Sequence, residues 1–270
     1  MIAERAVRYL NSEIRSRHRN VDLSRLQRDL AALAAAHPAM AVLQDLRETF
    51  GTSLRVKAKL SRKGLRDRLA DNLCTWLQDT RHSRRALADV AAQIIPTRRP
   101  LLLLSQSGTV LAACRHMAHS RRVRVTICES RPAREGAIMA RLLAGEGCEV
   151  TLVTDASAGR SIMQCGAVVL GADWVDRRGF VNKTGSLMLS MLAVTADVPV
   201  YVLADRFRIR HRILPDTRLP VHDPYQLLRR STHRLMAVNR CFERVDWMPV
   251  HHWITECRHI PDPARHWTRM

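Results

Sequence analysis

The stretch AVVLGADWVDRRGFVNKTGS, residues 167–186, holds the pattern that decides the fold: a short apolar run, AVVL, closed by glycine and followed at once by a polar cluster, GAD at 171–173. The same pattern occurs upstream in VRVTICESRP, residues 123–132, where VRVTIC leads into a polar ESRP. Apolar runs of this length, with β-branched residues and polar clusters at their ends, predict strands of an open α/β sheet whose ligand site forms beyond the strand ends.

Working outward, the alternation is regular. LLLL (101–104), VRVTIC (123–128), EVTLV (149–153), AVVLG (167–171) and VPVYVLA (198–204) predict strands. Helical patterns at about 108–118, 134–145, 157–163 and 183–196 separate them. Strands alternating with helices, several of them apolar throughout, predict a parallel sheet covered on both faces. Upstream, residues 1 to about 95 carry helical periodicity, as in Ala6, Leu10 and Ile14 or Leu23, Leu26, Leu30 and Leu33. Pro96 and Pro100 in IIPTRRP end that region. The expected organisation is α/β: an N-terminal all-helical domain over 1–97, a Rossmann-like parallel-sheet domain over 98–262, and a tail over 263–270. Within the second domain a last helix is expected near 224–236. The tail, PARHWTRM, reads as disordered.

Composition narrows the function. A chain of 270 residues with 46% hydrophobic content is long enough for one large or two modest cores. The charged N-terminus lacks the apolar segment of a secretory signal, and no stretch approaches a membrane span, so a cytoplasmic protein without a membrane partner is expected. The net charge of +19 invites a nucleic-acid reading. However, forty arginines against four lysines are spread along the chain, aromatics are only 4%, and no nucleic-acid-binding signature is present. Nucleic acid is therefore not the expected partner, and the charge reads as a solvated, arginine-biased surface. Seven scattered cysteines, without CxxC or zinc-site spacing, indicate neither a disulfide framework nor a metal site.

The polar clusters supply the candidate site. In ESRP, Glu129 can grip a sugar hydroxyl and Arg131 a phosphate, or the two can form a structural salt bridge. Asp173 of GAD can serve as a general base if its surroundings raise its pKa, or can cap or bond hydroxyls. NKTGS is read as opening a helix, where backbone N–H groups, Asn182, Lys183 and the nearby hydroxyls would form a phosphate-anchoring corner. Lys183 is the only lysine after residue 63. Ser105 and Ser107 in SQSGT form either a small anion-binding turn or an N-cap. Cys128, at a strand end, is a buried structural thiol or a thiol facing the same crevice.

The ordered set ESRP, Thr154–Asp155, GAD, NKTGS and YVLA, with FERVDWMPVHHWITE at 242–256, resembles the family that holds methylthioribose-1-phosphate isomerase, ribose-1,5-bisphosphate isomerase and the regulatory subunits of translation initiation factor 2B. The resemblance spans roughly residues 100–262. It implies a helical N-terminal domain, a Rossmann-like C-terminal domain, and homodimers or higher assemblies. In the isomerase branches it implies an acid/base pair of a cysteine and the GAD aspartate that converts an aldose phosphate to a ketose phosphate without a cofactor. Asp173 matches that aspartate. The cysteine position falls on Ser105, whose hydroxyl has a far higher pKa than a thiol. The basic position after YVLA is Arg206 or Arg208, and the phosphate loop of the isomerases has no convincing match in residues 1–95. Two functions remain open on the sequence. One is an isomerase acting through Asp173 and Ser105, with Ser107, Glu129, Arg131, Asn182, Lys183 and Arg208 holding a phosphorylated pentose. The other is a non-catalytic regulatory subunit that senses a sugar phosphate or nucleotide or binds a protein partner.

Overall fold

A computed structural model of the protein describes residues 2–16, 22–55, 61–229 and 234–268. Four helices come first: α1 (Ile2–Arg15), α2 (Leu23–Ala36), α3 (Ala41–Arg55) and α4 (Arg62–Ile94). Their apolar faces close on one another through Leu10, Ile14, Leu30, Leu43, Leu46, Phe50, Leu69 and Leu73. The segment before Pro96 is a single 33-residue helix, α4. Its last turns, with Leu87, Ala88, Ala91 and Ile95, pack into the core under the sheet. The helical region is thus seated on the α/β region through α4.

The elements that follow are β1 (Leu101–Leu104), α5 (Gly108–Ala118), β2 (Arg124–Cys128), α6 (Glu135–Gly145), β3 (Glu149–Val153), α7 (Ala158–Ile162) and β4 (Ala167–Gly171). After them come β5 (Trp174–Asp176), β6 (Gly179–Lys183), α8 (Ser186–Thr195), β7 (Val200–Leu203), β8 (Val221–His222), β9 (Asn239–Arg240), β10 (Phe242–Asp246), β11 (His252–Ile254), β12 (His259–Pro261) and α9 (Pro263–Thr268). The main sheet has the order β12-β11-β7-β4-β1-β2-β3. It is parallel except for β12, which runs antiparallel on β11. Side chains alternate across it: Leu101 and Leu103 enter the core under α4 and α5, and Leu102 and Leu104 the core under α8. Because β1 pairs with β2 on one side and β4 on the other, the chain reverses its direction of sheet growth at β1 and β4. The crevice outside their carboxyl ends is where an open α/β sheet receives ligands.

Three expectations are corrected. NKTGS does not open a helix: Asn182 and Lys183 close β6, the middle strand of a small antiparallel sheet β10-β6-β5, and α8 begins at Ser186. The polar residues misled because β6 owes its strand state to pairing with β10, sixty residues on. The helix expected near 224–236 is a single 3-10 turn, Pro224–Gln226, with Asp223 capping it and Asn239 donating to the Asp223 carbonyl; residues 230–233 of that stretch lie outside those described. The tail is ordered through α9, where Trp267 stacks on Trp253 at 5.9 Å between ring centroids. No described helix is long and apolar enough to cross a membrane.

Candidate active site

A cavity of about 530 Å³ opens at the carboxyl ends of β1 and β4, roofed by α1 and α4. Of the sequence candidates, Ser105, Ser107, Asp173, Asn182, Lys183 and Arg208 line it together.

Ser105 follows β1 with a left-handed backbone, φ 59°. Its N–H donates to Ser130 Oγ at 2.8 Å, and Ser130 Oγ donates to the Cys128 carbonyl at 3.1 Å. Asp155 holds the ESRP loop from below, accepting from Ser130 N and Arg131 N at 2.7 Å each. This clasp turns Glu129 and Arg131 away from the cavity: neither lines it, and Glu129 pairs instead with Arg134 at 3.3 Å. The ESRP and Thr154–Asp155 motifs therefore shape the floor under Ser105, and Glu129 and Arg131, expected to grip sugar and phosphate, stand outside the cavity wall. Ser107 is the N-cap of α5, accepting from Val110 N at 3.4 Å, and its Oγ lies 2.9 Å from Thr109 Oγ1. Gly171 makes room for it, since a Cβ there would sit 2.2 Å from Ser107 Oγ. Cys128 is enclosed and absent from the cavity wall; burial, with Asp155 nearby, pushes its thiol up to about 12, which leaves an inert structural cysteine.

Asp173 stands two residues beyond β4 with its backbone held on both sides. Its N–H donates to the Val181 carbonyl at 2.8 Å, and its own carbonyl accepts from Ala41 N at 2.9 Å. The carboxylate is half-buried and accepts no hydrogen bond from a described residue. Burial pushes its pKa up to about 6, partly offset by the Arg208 guanidinium. A carboxyl titrating there is able to hold or release a proton near neutral pH. Arg208 is held in turn by an ion pair to the buried Asp205.

Lys183 is 3% exposed, and its Nζ donates to both oxygens of Glu135, at 2.9 and 3.0 Å. Glu135 reaches it because Gly136 lets α6 start against the end of β2; a Cβ at 136 would fall 1.8 Å from the Cys128 carbonyl oxygen. Asn182 Nδ2 donates to Ser186 Oγ at 2.9 Å. The N-terminus of α8 is not open to a ligand, because the Gly185 and Leu187 N–H groups both donate to Glu243 Oε1 at 2.8 Å. The expected anion corner is thus filled by the protein's own carboxylate, the favourable partner for a helix N-terminus.

Sequence reasoning missed Glu4, Arg84, Arg115 and Glu135, which also line the cavity. Arg84 Nη1 donates to Glu4 Oε1 at 3.1 Å, and Arg115 pairs with Glu146. Nothing in HSRRALADV marks Arg84 among forty arginines. Among the described residues, each cation of the cavity is matched by a carboxylate of the protein.

The model of the Initiation factor 2 subunit family matches residues 2–257. The chain is 31% identical over 145 residues to the translation initiation factor eIF-2B subunit 2-like protein of Pyrococcus horikoshii, covering 53% of this chain and 52% of that one. It is 27% identical over 150 residues to the ribose 1,5-bisphosphate isomerase of Archaeoglobus fulgidus, covering 54% and 47%. The matched part spans about half the length of these two relatives. The crystal structure of the Pyrococcus horikoshii OT3 translation initiation factor eIF-2B is similar with a TM-score of 0.78 at 25% identity, covering 98% of this chain and 91% of that one.

Proposed function

The chain belongs to the Initiation factor 2 subunit family, and on that premise we propose that the cavity binds a phosphorylated pentose and that Asp173 moves the proton in an aldose-to-ketose isomerisation. The observation that carries this reading is the Asp173 carboxyl, poised at about 6 in the cavity wall with no described hydrogen-bond donor occupying it. Because O1 carries the phosphate, opening the ring breaks the C1–O4 bond with a proton going to O4; the carboxylate takes the proton from C2, an enol phosphate forms across C1 and C2, and the same carboxyl returns a proton to C1 as the C2 hydroxyl gives up its own. Hydroxyl protons exchange with solvent, and C1 is reduced as C2 is oxidised, so the step balances within the sugar. Ser105 faces the same space, but its hydroxyl is too weak an acid to share this work as a thiol would. It positions the ligand. Ribose 1,5-bisphosphate, the substrate in the name of the Archaeoglobus relative, is the first candidate, and methylthioribose 1-phosphate the second.

The test is NMR observation of ketose formation from each sugar phosphate, alongside thermal shift. A ligand at 100 times its Kd adds about 2.7 kcal/mol to stability. Asp173→Asn is expected to lower turnover by about two orders of magnitude or more while ligand stabilisation persists. Stabilisation without conversion in the wild-type protein would overturn the isomerase in favour of a second reading, a regulatory subunit that senses a sugar phosphate or nucleotide. That reading draws support from Ser105 and from the neutralised cations. In either case we propose a cytoplasmic homodimer or higher homo-oligomer, supported by the exposed apolar face of α8, Leu187, Met188, Met191 and Val194.

A further inference from the structure

Trp76, Thr80 and Arg84 stand four residues apart on α4 and line one side of the cavity. The Arg84 guanidinium lies over the start of α5, 3.7 Å from where a Cβ on Gly108 would be, so it faces the turn that carries Ser105 and Ser107. Across the mouth, Ile2, Ala3 and Glu4 of α1 line the cavity as well.

The four cavity cations among the described residues are not held alike. Lys183 is engaged by both oxygens of Glu135, and Arg208 by the enclosed Asp205. Arg115 is paired with Glu146. Arg84 is gripped on one side only: Nη1 meets Glu4 Oε1, while Nε is buried with no hydrogen-bond partner. A buried donor left unmade is costly, so this fork is incomplete. Its partner comes from the first turn of α1, and the end turn of a helix opens more readily than its middle. Burial works against the charged form of Glu4, but the charge and hydrogen bond of Arg84 help hold its carboxyl below the usual range, so a competing ligand meets an anion already in place.

We propose that Arg84 is the anion anchor of the cavity and that Glu4 is its built-in competitor: a phosphoryl group binds by displacing the Glu4 carboxylate and releasing the first turn of α1. This rests on the sugar-phosphate reading and extends it to a residue in the helical region. A phosphoryl group offers several acceptor oxygens and, once Glu4 has left, takes Nη1 and Nη2 together in the end-on fork that guanidinium favours, where Glu4 engages Nη1 alone. The ammonium of Lys183 and the guanidinium of Arg208, held by carboxylates deeper in the wall, are left to hydroxyls of the sugar.

Isothermal titration of the full chain with ribose 1,5-bisphosphate and with methylthioribose 1-phosphate tests this, together with hydrogen exchange at residues 6–9, whose amides bond the carbonyls of the first turn of α1. Glu4→Gln is expected to bind about tenfold more tightly than wild type, and Arg84→Gln about tenfold or more weakly, with Arg84→Lys between. The double variant should behave as Arg84→Gln alone, because Glu4 acts only through Arg84. In the wild-type protein, ligand should speed exchange at these amides; this readout needs no variant and stands if a substitution impairs folding. Binding in wild type that neither substitution changes, or protection of α1 by ligand, overturns the competitor while leaving the sugar-phosphate reading intact. No binding by wild type or Glu4→Gln overturns both.

Discussion

The carboxylate of Asp176 is fully enclosed and receives hydrogen bonds from Trp174 Nε1, Arg178 N, Leu214 N and both terminal nitrogens of Arg244, at 2.9 to 3.2 Å. That of Asp173, three residues earlier, opens on the cavity and accepts from none of the described residues. The two sit in one segment, GADWVD, and share a strand-end environment. Asp176 lies on β5, where β6, β10 and the loop at Leu214 converge, and every lone pair is used. Asp173 lies just before that strand, where the backbone is clamped but the side chain is left unpaired. A sealed charge with all its partners ties elements together, while an unpaired one at a cavity wall keeps its chemistry available.

The largest effect that would break this contrast is expected at Asp176. Asp176→Ala leaves Arg244, 5% exposed, with only Asp216 and the Leu214 carbonyl, and should cost about 3–5 kcal/mol in chemical denaturation. A loss below about 1 kcal/mol would show that the knot is not what holds β5 to β10. Gly171→Ala comes next: its Cβ would lie 2.2 Å from Ser107 Oγ and 2.7 Å from Ser107 Cβ. Overpacking of this kind costs about 1–3 kcal/mol, and it should weaken ligand binding as well, because the turn carrying Ser105 must shift.

Asp173→Asn should have the opposite sign. The Asp173 pKa rises from 3.8 to about 6 on folding, so the folded state favours the protonated form. The stability this carboxyl contributes is complete below pH 3.8 and is lost as pH rises through about 6. Asparagine, neutral throughout, escapes that loss. The variant is therefore expected to be more stable than wild type by about 1 kcal/mol at pH 7, a figure kept small because water reaches the half-buried group. The gap should close below pH 3.8, as thermal melts across pH would show. Smallest in stability is Ser105→Cys, expected to stay within about 0.5 kcal/mol, since the thiol replaces a hydroxyl at the same left-handed turn. Its value lies in the rate: a gain in ketose formation would show that the turn still presents a side chain to the reacting carbons.

Legibility followed locality. The helix at 108–118 and the strand runs LLLL, VRVTIC, EVTLV and AVVLG are set by residues within a few positions of one another, and they stand in the structure close to where the pattern put them. Asp173 and Ser105 were legible as cavity positions because each sits beside such an element. The errors came where a distant partner decided the outcome. β6 exists through β10, α8 is capped by Glu243 from that same strand, and the ESRP loop is turned by Asp155 from the next strand end. Arg84 gave no signal at all, because an arginine in a helical run is ordinarily solvated, and only the seating of α4 over α5 brings it to the cavity.

By itself the sequence determined the succession of helices and strands, and with it a parallel sheet whose carboxyl ends gather the polar clusters, because hydrophobic period and breaker residues act over short distances. The tertiary structure alone decided which charges are sealed and which are open. A carboxylate's role depends on what lies within a few ångströms of it, and for Asp176, Lys183 and Arg84 those neighbours come from 68, 48 and 80 residues away.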